Sequence, residues 1–234
     1  MVMQKVDAKM EQGAPPSQAI IDQMGQLVGR YLEAGIFKDG AGLHRSAVRA
    51  RVRFDGGTPT VTRGPYTGDN ELAAGFALIS TTGIDDAIER ATQLGKAAGH
   101  REIEVGPVVE RWDLTGSPRP ADAPHRFLLV IKADAAFEAG APPPAAVRAL
   151  LDQWKRDGVL QSSVTLAPSQ AATRAKVGPP NKRVWMDGPF TESKEMLAGF
   201  SILEVPSLAD AKRFAEEYYT ILVDNEVDIR PIVD

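Results

Sequence analysis

Cysteine is absent from this 234-residue chain, which removes disulfides, thiolate metal ligands and cysteine nucleophiles at once and suits a reducing cytoplasm. Long apolar runs are missing too. No stretch reaches the roughly 18 to 20 apolar residues of a membrane span. Met1 to Lys9 mixes Gln4, Lys5, Asp7 and Lys9 into its apolar residues, unlike the core of a secretory signal. No basic excess exists: 27 Lys and Arg face 31 Asp and Glu, a net charge of −4. That balance argues against nucleic acid, which needs a cationic surface. The three histidines, His44, His100 and His125, show no metal-site spacing. Gly40-Ala-Gly42 is too short for a phosphate loop, and no serine sits in a nucleophile elbow. No metal and no cofactor is therefore expected. What remains is 43 % hydrophobic and 25 % charged, the composition of a soluble, cytoplasmic globular protein.

What is present is a repeat. DAKMEQGAPP (Asp7 to Pro16) returns as DAAFEAGAPP (Asp134 to Pro143), offset by 127. GPYTGDNELAAGF (Gly64 to Phe76) returns as GPFTESKEMLAGF (Gly188 to Phe200), offset by 124. IEVGPVV (Ile103 to Val109) is answered by VDIRPIV (Val227 to Val233). Residues 1–118 carry 13 basic and 15 acidic groups and residues 119–234 carry 14 and 16, so each half is −2. Matches in one order with small gaps indicate duplication. Residues 1–113 form the first copy, residues 114–125 a Pro-rich linker, and residues 126–234 the second copy.

Each copy reads as β-α-β-β-α-β. In the first, Met1 to Val6 is a strand, and Pro15 and Pro16 open a helix. Ile20, Ile21, Met24, Leu27, Val28, Tyr31 and Leu32 form its apolar stripe. Ala47 to Phe54 and Thr60 to Arg63 form a hairpin across Asp55-Gly56-Gly57. Gly75 to Thr81 is a strand, Thr82 to Asp85 resembles a capping box before a second helix, and Glu102 to Val109 closes the copy. In the second, Arg126 to Ala133 is a strand, a hairpin crosses Gly178 to Asn181, and Ser207 caps the last helix. This order predicts an α+β, ferredoxin-like module with both helices on one sheet face. The bare face of each sheet then packs on that of the other copy, giving an intramolecular pseudo-dimer.

The stretch Asp187-Gly-Pro-Phe190-Thr-Glu-Ser-Lys194-Glu-Met-Leu-Ala-Gly199-Phe resembles the signature of the YCII-related, DGPF-motif family. The Glu226-Val-Asp-Ile-Arg-Pro231-Ile ending is similar to that family's closing strand. The resemblance implies a dimeric α/β barrel, here with both halves in one chain, and a further homodimer is compatible with it. It also implies a function drawn from a broad set. Some relatives are lyase-like or dehydrochlorinase-like enzymes, many are uncharacterised, and some are linked to sigma-factor regulation. Copy one departs from the motif: Asp187, Phe190, Glu192 and Lys194 are answered by Arg63, Tyr66, Gly68 and Asn70. The family's proposed His–Asp pair has its histidine just after the first strand, where neither copy has one.

Asp187 admits two readings. In a cleft between sheets it is a general base; beside Gly188-Pro189 it is a turn residue bonding backbone amides. Thr191, Glu192 and Lys194 offer ligand-binding groups, or a helix N-terminus with its cap. Arg49, Arg51 and Arg53 alternate along one strand with Arg63 nearby. They suit an anionic ligand, or a solvated sheet face. His44 follows Gly-Ala-Gly-Leu and is either a base at the inter-copy cleft or an exposed loop residue. The expectation is a small, anionic molecule bound between the copies, with acid–base lyase or isomerase chemistry. The alternative is a non-catalytic sensor in sigma-factor-linked regulation, and a structural pseudo-dimer with that space filled is a third reading.

Overall fold

The computed structural model describes all residues except Asp7, Asn70, 179–181, Thr191, Glu192, Lys194, Glu195, 223–225 and Asp234. In the first half, strand β1 (Val2–Lys5) precedes a short helix α1 (Ala8–Glu11) and helix α2 (Gln18–Glu33). Strand β2 (Phe37–Leu43), the hairpin β3 (Ala50–Asp55) and β4 (Thr58–Arg63), β5 (Ala73–Thr81), helix α3 (Ile84–Ala97) and β6 (Ile103–Val109) follow. After α4 (Arg111–Thr115), the order repeats as β7 (His125–Lys132), α5 (Ala135–Glu138), α6 (Ala145–Arg156) and β8 (Leu160–Leu166). The hairpin β9 (Thr173–Gly178) and β10 (Lys182–Asp187), β11 (Leu197–Leu203), α7 (Leu208–Ile221), β12 (Val227–Ile229) and β13 (Ile232–Val233) end it.

Local chemistry sets several boundaries. Helix α2 starts at Gln18, after the two prolines, because the Ser17 hydroxyl accepts the Ile20 amide. Helix α7 starts where the Ser207 hydroxyl accepts the Asp210 amide. Helix α3 lacks the expected capping box: Gly83 is its N-cap, and Thr82 instead reaches forward to the Asp86 carboxylate. Gly56 and Gly57, at φ +54° and +86°, turn the first hairpin as two consecutive positive-φ positions require. The turn expected across residues 179–181 lies outside the described residues.

Two strands were not expected. Strands β2 (FKDGAGL) and β8 (LQSSVTL) carry little apolar alternation, so propensity does not reveal them. They are the second strands of their copies, and each hairpin is an insertion after one of them. Gly40 of β2 has a packing reason. A Cβ at Gly40 would lie 2.8 Å from the Phe200 carbonyl oxygen and 2.5 Å from the Phe37 ring.

The strand pairing crosses the repeat. β1 lies between β11 and β12 of the second copy, not beside β5 and β6 of its own. Equally, β7 lies between β5 and β6 of the first copy. The resulting ladders run β12-β1-β11-β2 and β6-β7-β5-β8. β3 extends β6, and β9 extends β12. The ladders meet at both margins, where β2 pairs with the end of β6 and β8 pairs with β13. The Pro-rich segment after α4 therefore connects two adjacent antiparallel strands, the commonest relation between consecutive strands.

Packing follows the same exchange. Helix α3 packs on α6, and α2 packs on α7. One apolar cluster lies under α3 and α6 and another under α2 and α7. A third draws Met1, Met3, Phe76, Leu78, Leu128, Val130, Leu197 and Phe200 from both halves. Period-two alternation divides β7 between two of them. Phe127, Leu129 and Ile131 face the helices, while Leu128 and Val130 join the third cluster. Phe76 and Phe200, equivalent in the repeat, stack there with centroids 6.1 Å apart. Trp154 of α6 is fully buried in the cluster under α3 and α6.

Candidate functional site

Charged side chains lie inside this frame. Lys5, Arg49, Arg51, Lys132, Arg174 and Arg230 are buried, against buried Glu71, Glu104 and Asp228. Three further acids at its margins, Glu102, Glu138 and Glu226, pair with Arg51, Arg230 and Arg174 and restore the balance. Such groups are tolerated inside a protein only when paired and hydrogen-bonded.

In the first half the network centres on Glu104. One carboxylate oxygen accepts from Arg49 Nη1 at 2.8 Å, and the other accepts from Arg51 Nη2 at 3.2 Å and Lys132 Nζ at 3.3 Å. Burial alone would raise the Glu104 pKa, but Lys132, Arg49 and Arg51 prevail and hold it down at about 2. Glu71 accepts from Arg51 Nη2 at 2.5 Å and also from Lys132 Nζ. The second half repeats the design. Asp228 accepts from Arg174 at 2.5 and 2.8 Å and lies 3.3 Å from Lys5 Nζ. Burial opposes ionisation of Asp228 as well, yet Lys5 and Arg174 keep its pKa below the usual range. Lys5 answers Lys132 by the offset of 127, and Asp228 answers Glu104 by the offset of 124.

The motif residues brace this network. Gly188 N–H donates to the Ala172 carbonyl, and Phe190 N–H donates to Ser169 Oγ at 3.0 Å. The first half matches: Gly64 N–H donates to the Arg49 carbonyl, and Tyr66 N–H donates to Ser46 Oγ. Each aromatic ring then covers a strand arginine, Arg51 over Tyr66 at 4.0 Å and Arg174 over Phe190 at 4.2 Å. The glycines are required by contact, since a Cβ would fall 1.7 Å from Ser46 O at Gly64 and 1.8 Å from Ser169 O at Gly188.

The expected site residues do not converge. Arg49 and Arg51 are buried in the network, whereas Arg53 is half exposed, bonded to Glu102 and 3.5 Å from Asp69. Arg63 turns to Asp85 at the surface. The Asp187 side chain is 79 % exposed at the end of β10, 4.0 Å from Lys212 Nζ. His44 Nε2 lies 3.2 Å from Asp113 on α4. Thr191, Glu192 and Lys194 lie outside the described residues. Among those described, no group of three His, Asp or Glu residues is arranged to hold a metal, and no helix is long and apolar enough to cross a membrane.

Two cavities adjoin the network. The enclosed one lies among Met3, Lys5, Glu104, Lys132, Asp228 and Arg230, and measures about 10 Å³, room for roughly one water. The second is an open cleft of about 290 Å³, near the lower bound of ligand pockets. Copy one contributes Arg53, Asp69 and the run from Gly99 to Glu102, and copy two contributes Lys132 to Asp134. Neither cavity is lined by Asp187 or His44. Lys132 lines both.

The cleft rests on a turn after α3. Gly99 and His100 both take positive φ, +79° and +66°, and His100 N–H donates to the Gly95 carbonyl at 2.8 Å. Its ring meets Phe54 edge-on at 5.3 Å. Asp134 caps α5 through the Phe137 amide and accepts twice from Arg101, at 2.7 and 2.9 Å. Its pKa is lowered: burial works against this, and the Arg101 and Phe137 hydrogen bonds outweigh it. The acids are thus occupied, while donors remain. Arg101 uses Nε and Nη2 on Asp134, leaving Nη1. Lys132 gives two bonds, to Glu71 and Glu104, of the three an ammonium offers.

Pattern reading missed Lys132, Glu104, Glu71, His100, Arg101 and Asp134. A signal for two of them existed. Lysine and acid recur at equivalent places in otherwise apolar strands, Lys5 with Lys132 and Asp228 with Glu104. No curated protein and no solved structure matches the chain. Residues 126–233, the second copy of the repeat, match the YCII-related domain.

Proposed function

We propose that the whole chain is a tandem YCII-related protein, a dimeric α/β barrel carried in one polypeptide, which binds a small anionic molecule where its two copies meet. The observation that carries this reading is the cleft of about 290 Å³ built from both copies and sharing Lys132 with the buried network. Its acids are neutralised by partners, and Lys132, Arg101 and His100 retain hydrogen-bonding capacity, the arrangement that receives a carboxylate. An acid–base reaction of the lyase or isomerase kind would use His100 as the proton-transferring group, with Asp187 left to its turn.

The enclosed cavity of about 10 Å³, room for roughly one water, favours the structural pseudo-dimer with that space filled over the non-catalytic sensor in sigma-factor-linked regulation. A thermal-shift series with acetate, malonate and succinate tests the binding reading. A ligand at about 100 times its Kd adds roughly 2.7 kcal/mol, so wild type should melt visibly higher and His100→Asn should shift less. Equal shifts in both proteins, or none in wild type, would remove the cleft from consideration.

A further inference from the structure

The residues that line this cleft are not matched in sequence by the equivalent positions of the other half. An offset of 123 along the hairpin strands, which pairs Arg51 with Arg174, places Lys176 opposite Arg53, while the offsets of 124 and 127 place Ser193 opposite Asp69 and Lys132 opposite Lys5. Under the same offset of 124 used for the closing strands, Asp224 and Asn225 answer His100 and Arg101. The first set holds three fixed cations, three acids and a histidine. Its counterpart, with Asp7, Asp224 and Glu226 against Lys5 and Lys176, holds two cations and three acids. An imidazole and a guanidinium are exchanged for a carboxylate and an amide. In the sequence that exchange removes two donor side chains and adds a carboxylate; Asp7, Asp224 and Asn225 themselves lie outside the described residues.

We propose that the chain binds one small carboxylate, not two, and that the site belongs to the His100–Arg101 cleft rather than to the half with the intact Asp-Gly-Pro-Phe motif. This rests on the anion-binding reading above and specifies its stoichiometry and its residues. The motif is no guide to the ligand, because Gly188 and Phe190 answer to packing against Ser169 and Arg174. The His100 backbone supports the assignment. A histidine at φ +66° occupies a conformation that costs a non-glycine residue free energy, and such outliers gather at functional sites.

The test is isothermal titration of the full chain with sodium malonate, in wild type, His100→Asp/Arg101→Asn, His100→Asn and Asp187→Ala. The double variant writes the counterpart sequence into the cleft. The single one uses asparagine, which accepts the left-handed region well, so the turn keeps its form even if the loss of the Arg101–Asp134 pair unsettles the double variant. We expect one malonate per chain, affinity at least 10-fold weaker in both cleft variants, and no change in Asp187→Ala. Two malonates per chain in wild type would overturn the single-site inference and leave anion binding standing. One malonate per chain with unchanged affinity in both cleft variants would place the site elsewhere and overturn it as well. Absence of binding in wild type would overturn the anion-binding reading itself.

Discussion

At the scale of single residues, the most telling positions are two glycines and one buried acid. Gly188→Ala would set a methyl group 1.8 Å from the Ser169 carbonyl oxygen, a backbone atom that cannot turn aside. The expected loss is about 3 kcal/mol or more, the upper range of overpacking, read as a lower urea midpoint; a change below about 0.5 kcal/mol would contradict the packing role. Glu104 carries the pH dependence. Its folded pKa, about 2, lies below the ordinary carboxylate value of about 4.3. A depressed acid stabilises the fold above its unfolded pKa, and that contribution is lost as pH falls through the folded value. Stability should therefore decline between about pH 4 and pH 2, with Asp228 acting in the same direction. Glu104→Gln leaves buried cations uncompensated, so it should cost roughly 3 kcal/mol at pH 7 and flatten this decline in acid titrations followed by circular dichroism. An unchanged slope would assign the acid sensitivity to other groups. Residue-level reading of the sequence was sound for the Gly56-Gly57 turn and the Ser207 cap but not for the capping box before α3. It left Arg49 and Arg51 between an anion site and a solvated face, because alternation along a strand does not say which face is dry. That depends on Glu104, more than fifty residues away.

At the scale of elements, the apolar stripe of α2 was legible from its own period, and β5, β6 and β7 were legible as short, mostly apolar strands. Strands β2 and β8 were not. They carry few of the large apolar residues that mark a strand, and in β2 Gly40 is small because it approaches β11 closely. The pairing of Gly199 with Gly42 and of Ser201 with Gly40 joins β2 to β11, and this contact is invisible to a reading that looks for Val and Ile. Gly40→Val would bring a branched side chain against the Phe200 carbonyl. It should cost about 2 kcal/mol and speed amide exchange along β2 and β11 relative to β7. Uniform exchange rates in the variant would mean that β2 adapts without loss.

At the scale of the molecule, the repeat was plain in sequence, but its use was not. Duplication suggests two self-contained halves, whereas β1 and β7 are exchanged between them. On one side the reason is local, because the chain leaving β6 returns as β7 beside it; on the other, β1 and β12 pair from opposite ends of the chain. Chains of residues 1–116 and 117–234, expressed separately, should each lack a cooperative unfolding transition and recover one when mixed. Independent folding of either would refute the exchange. The same exchange creates the cleft, since Arg53 to Glu102 and Lys132 to Asp134 come from different copies. Its direct test uses the small number of histidines. The ring Cε1–H resonances of His44, His100 and His125 are followed by NMR during malonate titration and assigned with His100→Asn. The His100 resonance is expected to shift in a saturable manner while those of His44 and His125 stay still. Movement of His44 instead, or of none of the three, would contradict it.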